Sequence, residues 1–337
     1  MAHEIPVIDI APFLAGGDGA EAAARIERAA VEVGFFQVIG HGVPTDLLDA
    51  AYAAMYELSS LDVGVKERFR SPVGHPYRGL HLRRDRSGTI RQERFLATRF
   101  DDPAAAVAAG IDPALADYFA PNTWPDQPAG FRAACENLFA ATQRLAGSLM
   151  RLAALALDIG PNGFDGCIEP NSSTFAINHY PSSHAPIEDG PDLLFHEHAD
   201  GNTLTLLHQR GDFEGLQVQR LDADGEWISV PVREDAFVIN LGKLMTRWTN
   251  GHWPATMHRV VTPADPALQR TTLTTFHMPP LATVIAPLPR WCDADGPRFE
   301  PITTYESERS SIRNYALPRT DGLILDPTVV QFASSER

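Results

Sequence analysis

Beyond Gly160 the chain passes through a series of short segments rich in β-branched and aromatic residues, each bounded by turn signals. They are Thr174 to Tyr180, Thr203 to Gln209, Leu216 to Arg220, Trp227 to Val230, Ala236 to Asn240, His258 to Thr262 and Thr271 to Met278. No helical pattern separates them, so they do not read as βαβ units. Strands at this spacing pair as an antiparallel sandwich or barrel. The half before Gly160 is different. Ile5 to Ile10 reads as a short strand with Pro6 near its start. Gly19 to Val33 carries apolar residues at helical spacing, and Gly34 suits the position that ends the helix. Phe35 to Ile39 is a buried strand, and Thr45 is placed to cap a helix over Asp46 to Leu58. Arg70 to Phe100 reads as irregular structure with short strands. Ala129 to Leu157 is the longest helical pattern, with Leu138, Leu145, Leu149 and Leu152 on one face. The expected organisation is a helical and strand region over 1–160 packed on a barrel over 161–337, the two forming one structural unit.

Charge and cysteine usage narrow the function. The formal net charge is −15, and no basic block occurs anywhere. Phosphate backbones are bound by clustered Lys and Arg, so nucleic acid is not the expected partner. A small anion remains compatible, because it needs only one local cation. Cys135, Cys167 and Cys292 are scattered and lack metal-ligand spacing, which suits a reducing, cytoplasmic setting. The N-terminus shows no apolar signal region. The apolar stretch from Leu145 to Leu157, interrupted by Arg151, is too short and polar to span a bilayer. The expected partner is a small molecule, and the sequence leaves the oligomeric state open.

The stretch Phe195-His196-Glu197-His198-Ala199-Asp200 carries the chemistry. Residues two apart on an extended segment share a side, so His198 and Asp200 present an imidazole and a carboxylate to one ion. The third ligand must come from elsewhere, and His258 begins a later strand. Two histidines and one carboxylate leave coordination positions open, which suits Fe(II) with a co-substrate and dioxygen. The residues alone leave two rivals: His196 with His198 as the local pair, and His252 as the distal ligand.

The surroundings form a pattern. Ile5-Pro6-Val7-Ile8-Asp9-Ile10 and Gly34-Phe35-Phe36-Gln37-Val38-Ile39-Gly40-His41-Gly42-Val43 stand near the N-terminus. Asn178-His179-Tyr180-Pro181, His198-Ala199-Asp200, Gly215-Leu216-Gln217-Val218, Asn240-Leu241-Gly242 and His258-Arg259-Val260 follow in order. Together they resemble the isopenicillin N synthase-like family of 2-oxoglutarate/Fe(II)-dependent oxygenases over nearly the whole chain. The resemblance implies a mixed α+β fold with a double-stranded β-helix (jelly-roll) core and surrounding N-terminal helices. It implies Fe(II) on His198, Asp200 and His258, favouring His258 over His252.

Arg270-Thr271-Thr272 stands where the family has Arg-x-Ser. Arg270 and Thr272 share a strand face, and a guanidinium with a hydroxyl makes a selective carboxylate receptor. The resemblance implies that they grip the far carboxylate of 2-oxoglutarate, with Tyr180 and Asn178 close by. Taken alone, Arg270 reads as a surface ion-pair residue. The implied reaction couples decarboxylation of 2-oxoglutarate to succinate with C–H hydroxylation, desaturation or cyclisation of a small organic substrate, an amino acid or natural-product intermediate among the candidates. By position, Arg78, Arg94, Phe95 and Phe276 are expected to line the substrate pocket, within a locally basic region that also holds Arg83, Arg84 and Arg91. Alternatives are an Fe(II) oxidase independent of 2-oxoglutarate, a non-catalytic jelly-roll binding protein, and a zinc hydrolase on a similar barrel.

Overall fold

A computed structural model describes residues 4–85, 87–182, 193–222, 225–265 and 267–314. The final stretch of the expected barrel region, 315–337, lies outside the described residues. In chain order the strands are β1 (Val7–Asp9), β2 (Phe35–Ile39), β3 (Gly79–Arg84), β4 (Ile90–Thr98), β5 (Thr174–Tyr180), β6 (Leu193–His198) and β7 (Leu204–Gln209). They continue as β8 (Leu216–Gln219), β9 (Trp227–Ser229), β10 (Phe237–Leu241), β11 (His258–Val261), β12 (Arg270–His277), β13 (Val284–Ile285) and β14 (Ile302–Thr303). The large sheet has the order β1-β2-β10-β7-β12-β5-β4-β3, and the smaller one β6-β11-β8-β9. Apart from the parallel β1–β2 pair, the strands of both sheets pair antiparallel. This is the two-sheet jelly roll expected of a mixed α+β chain. Four strands of the large sheet come from the first 160 residues, so both halves of the chain contribute to one sheet.

Strand alternation sorts the large sheet into two faces. Leu206, Ile239, Leu273, Phe175, Ile177 and Phe95 point outward into a core shared with the helices Ala20–Glu32, Thr45–Ser60 and Phe131–Ala156. The last helix buries the four leucines of its predicted stripe. Each fully buried leucine contributes roughly 1.5–3 kcal/mol. The inward face packs on the smaller sheet through Phe35, Val238, Leu216, Val218 and Val260. Where that apolar filling stops, a cavity of about 580 Å³ opens between the sheets.

Two local expectations change. Thr45 is the first helical residue rather than the cap: Pro44 holds that position, extended at φ −62°, and Thr45 makes no capping bond. The Arg70 to Phe100 region is more regular than its composition suggests, forming the long β3–β4 hairpin. Gly34 ends its helix as expected. It has φ 74°, its N–H donates to Ala29 O at 2.9 Å, and a Cβ there would lie 2.0 Å from Thr256 Oγ1. That contact ties the end of the Ala20–Glu32 helix to the segment leading into His258.

Three histidines lie on the outward face. His179 Nδ1 meets Thr271 Oγ1 at 2.8 Å, His208 Nδ1 meets the Tyr52 hydroxyl at 3.0 Å, and His277 Nδ1 meets Thr203 Oγ1 at 2.7 Å. Burial, aided at His179 by Lys66, pushes each of them down to about 4. An unfolded histidine takes its proton near pH 6.5. Between about pH 6.5 and 4 the unfolded chain therefore binds more protons, and stability falls as pH falls, by up to ~1.4 kcal/mol per pH unit for each histidine. The urea midpoint is expected to drop steadily from pH 7 to pH 5. A flat profile over that interval would contradict the neutral burial of these rings.

Candidate active site

Antiparallel pairing of β6 with β11 sets His198 directly opposite His258. Their ring centroids are 4.2 Å apart. Asp200 follows β6 and turns its carboxylate towards both: Oδ1 lies 3.5 Å from His198 Nε2 and 3.8 Å from His258 Nε2. One ligand atom from each of the three lies within 4.8 Å of the others, the spacing of groups that share one ion. Asp200 and His258 are buried, while His198 is partly open to the cavity.

Main-chain carbonyls set the imidazoles. His198 Nδ1 donates to His196 O at 2.8 Å, and His258 Nδ1 donates to Thr256 O at 3.2 Å. With the proton on Nδ1, each Nε2 keeps its lone pair towards the centre. Burial, with the His198 imidazole beside it, pushes His258 down to about 4, so its ring is neutral at ordinary pH. The Asp200 carboxylate is clamped on its other oxygen: Oδ2 accepts from Thr205 Oγ1 at 2.5 Å and Asn240 Nδ2 at 2.9 Å. Burial would raise its pKa, but His258, His198 and the Thr205 hydroxyl outweigh that and hold it well below the usual carboxylate range. Asn202 Nδ2 donates to Thr205 Oγ1 at 2.9 Å and completes the chain of bonds. Oδ1 is left facing the histidines. The donor set therefore fits a divalent ion bound through two nitrogens and one oxygen.

The same cavity is walled by the inward face of β12, which presents Arg270, Thr272, Thr274 and Phe276. Arg270 stands opposite Tyr180, and Thr272 stands opposite both Asn178 and Gln209. Arg270 is buried, contrary to the surface alternative. Its Nη2 donates to Gln209 Oε1 at 3.1 Å, its Nε has no hydrogen-bond partner, and among the described residues no carboxylate pairs with it. Burial draws its pKa below the ordinary value, with Tyr180 and Tyr52 opposing. A guanidinium stays charged under such a shift. Enclosed without an anion, it is costly unless a ligand supplies one. Tyr180 and Asn178 are held by Gln92, whose Nε2 donates to the Tyr180 hydroxyl at 2.9 Å and to Asn178 Oδ1 at 3.2 Å.

The four residues expected to form the substrate pocket divide evenly. Arg94 and Phe276 line the cavity. Arg78 does not. Its guanidinium is buried and donates to the main-chain carbonyls of Ala120, Tyr77 and Tyr118 at 2.9, 2.9 and 3.0 Å, which fixes that loop. Phe95 is also displaced: one residue from Arg94, it points outward and packs edge-on against Phe131 at 4.9 Å. Neither rival metal ligand joins the triad. His252 Nε2 donates to Glu27 Oε1 at 2.6 Å and its ring stacks on Trp291 at 3.8 Å, while His196 lines the cavity beside His198. Thr205, Gln209 and Gln92 are not singled out by the sequence. Parity along β7 and β4 is the signal that could have found them, since they share the inward face with recognised residues.

A jelly roll with a facial pair of histidines and a carboxylate at its open end defines a class, the mononuclear non-haem metal enzymes. Residues 171–279 match the 2OG-Fe(II) oxygenase superfamily, and residues 5–127 match the N-terminal region described as non-haem dioxygenase in morphine synthesis. The 2-oxoglutarate-dependent dioxygenase citB of Monascus ruber is 33% identical over 273 residues, covering 76% of this chain and 80% of that protein. Gibberellin 20 oxidase 3 of Oryza sativa subsp. japonica is 33% identical over 313 residues, covering 89% and 79%. A full-length Neurospora crassa protein, solved in complex with alpha-KG, superposes with a TM-score of 0.76 at 25% identity, covering 91% of this chain and 96% of that one. The chain belongs to the 2-oxoglutarate/Fe(II)-dependent oxygenases, and Fe(II), 2-oxoglutarate and dioxygen are its cofactor and co-substrates.

Removing a partner that orients a metal-binding carboxylate typically weakens metal affinity by about 10–100-fold. Asn240→Ala is expected to lower Fe(II) affinity within that range, read by anaerobic titration of metal-free protein. Unchanged affinity would show that Asn240 does not set the carboxylate.

Proposed function

We propose that His198, Asp200 and His258 hold Fe(II), that Arg270 and Thr272 receive the distal carboxylate of 2-oxoglutarate, and that Tyr180 and Asn178 flank it. On this reading the enzyme hydroxylates, desaturates or cyclises a small organic substrate at a C–H bond. The observation that carries it is the buried Arg270, unpaired with any described carboxylate and facing the same cavity as the triad. Bound Fe(II) with 2-oxoglutarate supplies dioxygen activation, driven by decarboxylation of the keto acid to succinate.

The chain's own residues do the positioning. The charge and fork of Arg270 fix one end of the dianion, Thr272 offers a hydroxyl at the same face, and Gln209 restrains the guanidinium. Gln92 keeps the Tyr180 ring and the Asn178 amide in place. The helix Thr304–Asn314 turns Ser307, Glu308, Ser310 and Ser311 towards the cavity. It is anchored by Tyr118, whose hydroxyl donates to Glu308 Oε2 at 2.5 Å. A cavity of this size, within the ~300–1,000 Å³ of small-molecule sites, suits a small organic substrate.

The alternative of an Fe(II) oxidase that dispenses with 2-oxoglutarate leaves the Arg270 site without a purpose. A cytoplasmic setting and a small-molecule partner belong to the same proposal. The setting is supported by Cys135, Cys167 and Cys292, all free thiols, and the small-molecule partner by the size of the cavity. Truncating one partner of a buried charge pair costs roughly 2–5 kcal/mol. Arg270→Gln is therefore expected to raise the Kd for 2-oxoglutarate at least about 30-fold in anaerobic calorimetry with Fe(II) present. Wild-type affinity in that variant would remove Arg270 from the co-substrate site.

A further inference from the structure

The helix Thr304–Asn314 brings to the cavity a carboxylate that neither the metal nor the co-substrate site uses. Its first turn is pinned to the chain beyond β12, where the Thr304 N–H donates to Thr283 O at 2.9 Å and the Tyr305 N–H donates to Leu281 O at 3.0 Å. Two sides then separate along it. Ile312 is buried in an apolar cluster with Leu281, Tyr118 and Phe119. Ser307 and Ser311, four residues apart and so on one side, line the cavity. Ser311 Oγ lies 3.4 Å from the place that a Cβ on Gly201 would take, next in sequence to Asp200. Glu308 stands where the two sides meet, about 4.5 Å along the helix axis from Ser311.

Glu308 is buried and lines the cavity. One of its oxygens is used, since Oε2 accepts from the Tyr118 hydroxyl at 2.5 Å. Oε1 has no hydrogen-bond partner among the described residues, and no cation among them pairs with the carboxylate. The Arg78 guanidinium lies 5.8 Å over the Tyr118 ring, but its hydrogen bonds go to three main-chain carbonyls. It offsets the charge of Glu308 without meeting its capacity to accept, which for a carboxylate is about four bonds. Burial raises the Glu308 pKa, and the Tyr118 bond and the Arg78 charge oppose that rise. An acceptor withdrawn from bulk water and left without a donor is costly, and a ligand in the cavity can supply the donor. The apolar counterpart stands by the metal site: Phe276, opposite Thr205 on β7, and Met278 line the same cavity.

We propose that the primary substrate carries a hydroxyl that donates to Glu308 Oε1, with its apolar body laid along Phe276 and Met278 towards His198, Asp200 and His258. Because the Arg78 charge already offsets the carboxylate, the unmet need is a hydrogen bond rather than a cation. That favours a neutral hydroxyl over an ammonium. A site built to accept from a hydroxyl rejects the analogue lacking it, because its own acceptor then stays unpaired. Apolar walls set no register by themselves, so the hydroxyl fixes which carbon faces the metal. This inference deepens the proposed function and rests on it.

The test uses the full chain loaded anaerobically with Fe(II), with 2-oxoglutarate titrated first by calorimetry. Octanol, 3-phenylpropanol, 4-propylphenol and 2-naphthol then follow, each beside its methyl ether and its amine. At least one hydroxyl compound is expected to bind about tenfold or more tightly than its ether, the least that a hydrogen bond to a charged group contributes. In Glu308→Gln the amide oxygen keeps the Tyr118 bond and the amide NH2 faces the cavity, where it serves ether and hydroxyl oxygens alike. The preference should therefore fall to near unity. Glu308→Ala should lose it too, and carries the test if melting curves show that the amide variant is not folded. Tyr118→Phe separates recognition from scaffolding: it removes the anchor but leaves the carboxylate, so the preference should persist. Ethers binding as well as hydroxyl compounds, amines binding more tightly than either, or no hydroxyl compound binding at millimolar concentration would overturn the assignment. So would a preference that survives the loss of the carboxylate, or one that Tyr118→Phe abolishes as fully as Glu308→Gln does. A loss of 2-oxoglutarate affinity in Glu308→Gln equal to the loss of hydroxyl-compound affinity would overturn it too. Failure of 2-oxoglutarate to bind wild-type protein is a separate result, and it would sink the underlying reading as well.

Discussion

Antiparallel pairing of β6 and β11 brings two imidazoles from distant parts of the sequence to one point, and the rest of the site is arranged around that pairing. The register is guarded on both sides. β11 is also paired with β8, and the approach to it is held by Thr256, which donates to Val33 O at 2.9 Å. A slip of one residue by either strand would turn its histidine to the other face and separate the pair, because side chains alternate along a strand. The large sheet answers with its own register. Thr205 and Asn240, neighbours on β7 and β10, take one oxygen of Asp200 and leave the other towards the histidines. The metal site is therefore a joint product of two sheets, and neither sheet contains it alone.

A protein of net charge −15 concentrates buried arginines on the inner face of one sheet. Arg83, Arg94 and Arg270 are each removed from water there. Such burial is unfavourable unless partners or ligands offset it. On the other face of the same strands, Lys66 and Glu93 pair at 2.8 Å, and Lys66 also donates to Ser59 O. Adjacent residues Glu93 and Arg94 show the division well. One neutralises a cation inside the helical core, while the next faces the cavity. Surface acidity does not oppose a small anion once it is inside, because the local field of nearby guanidiniums dominates at short range.

Much of this is legible in the sequence where a local rule applies. The period-two spacing of His198 and Asp200, and of Arg270 and Thr272, puts each pair on one face, and the structure has them so. Gly34 is readable because a helix end in the left-handed conformation leaves few choices of residue. His258 is not readable from its own surroundings; it needs the resemblance, because sequence spacing carries no information on which distant strand pairs with β6. Arg78 and Phe95 depart from expectation for a related reason. An arginine- and glycine-rich stretch reads as irregular, which hides the parity that separates Arg94 from Phe95. The polar helix Thr304–Asn314 is equally hard to read, since few of its residues are buried and its hydrophobic pattern is correspondingly weak.

The central claim is that one cavity holds the metal on His198, Asp200 and His258 and the keto acid between that metal and Arg270. Its most direct test is spectroscopic. Fe(II) and 2-oxoglutarate are added anaerobically to metal-free protein, and the weak visible charge-transfer band of a metal-chelated keto acid is followed in wild type, His258→Ala and Arg270→Ala. The account predicts a band in wild type that is lost in His258→Ala and weakened at limiting 2-oxoglutarate in Arg270→Ala. Iron bound without a band in wild type, or a band of full strength in both variants, would contradict it.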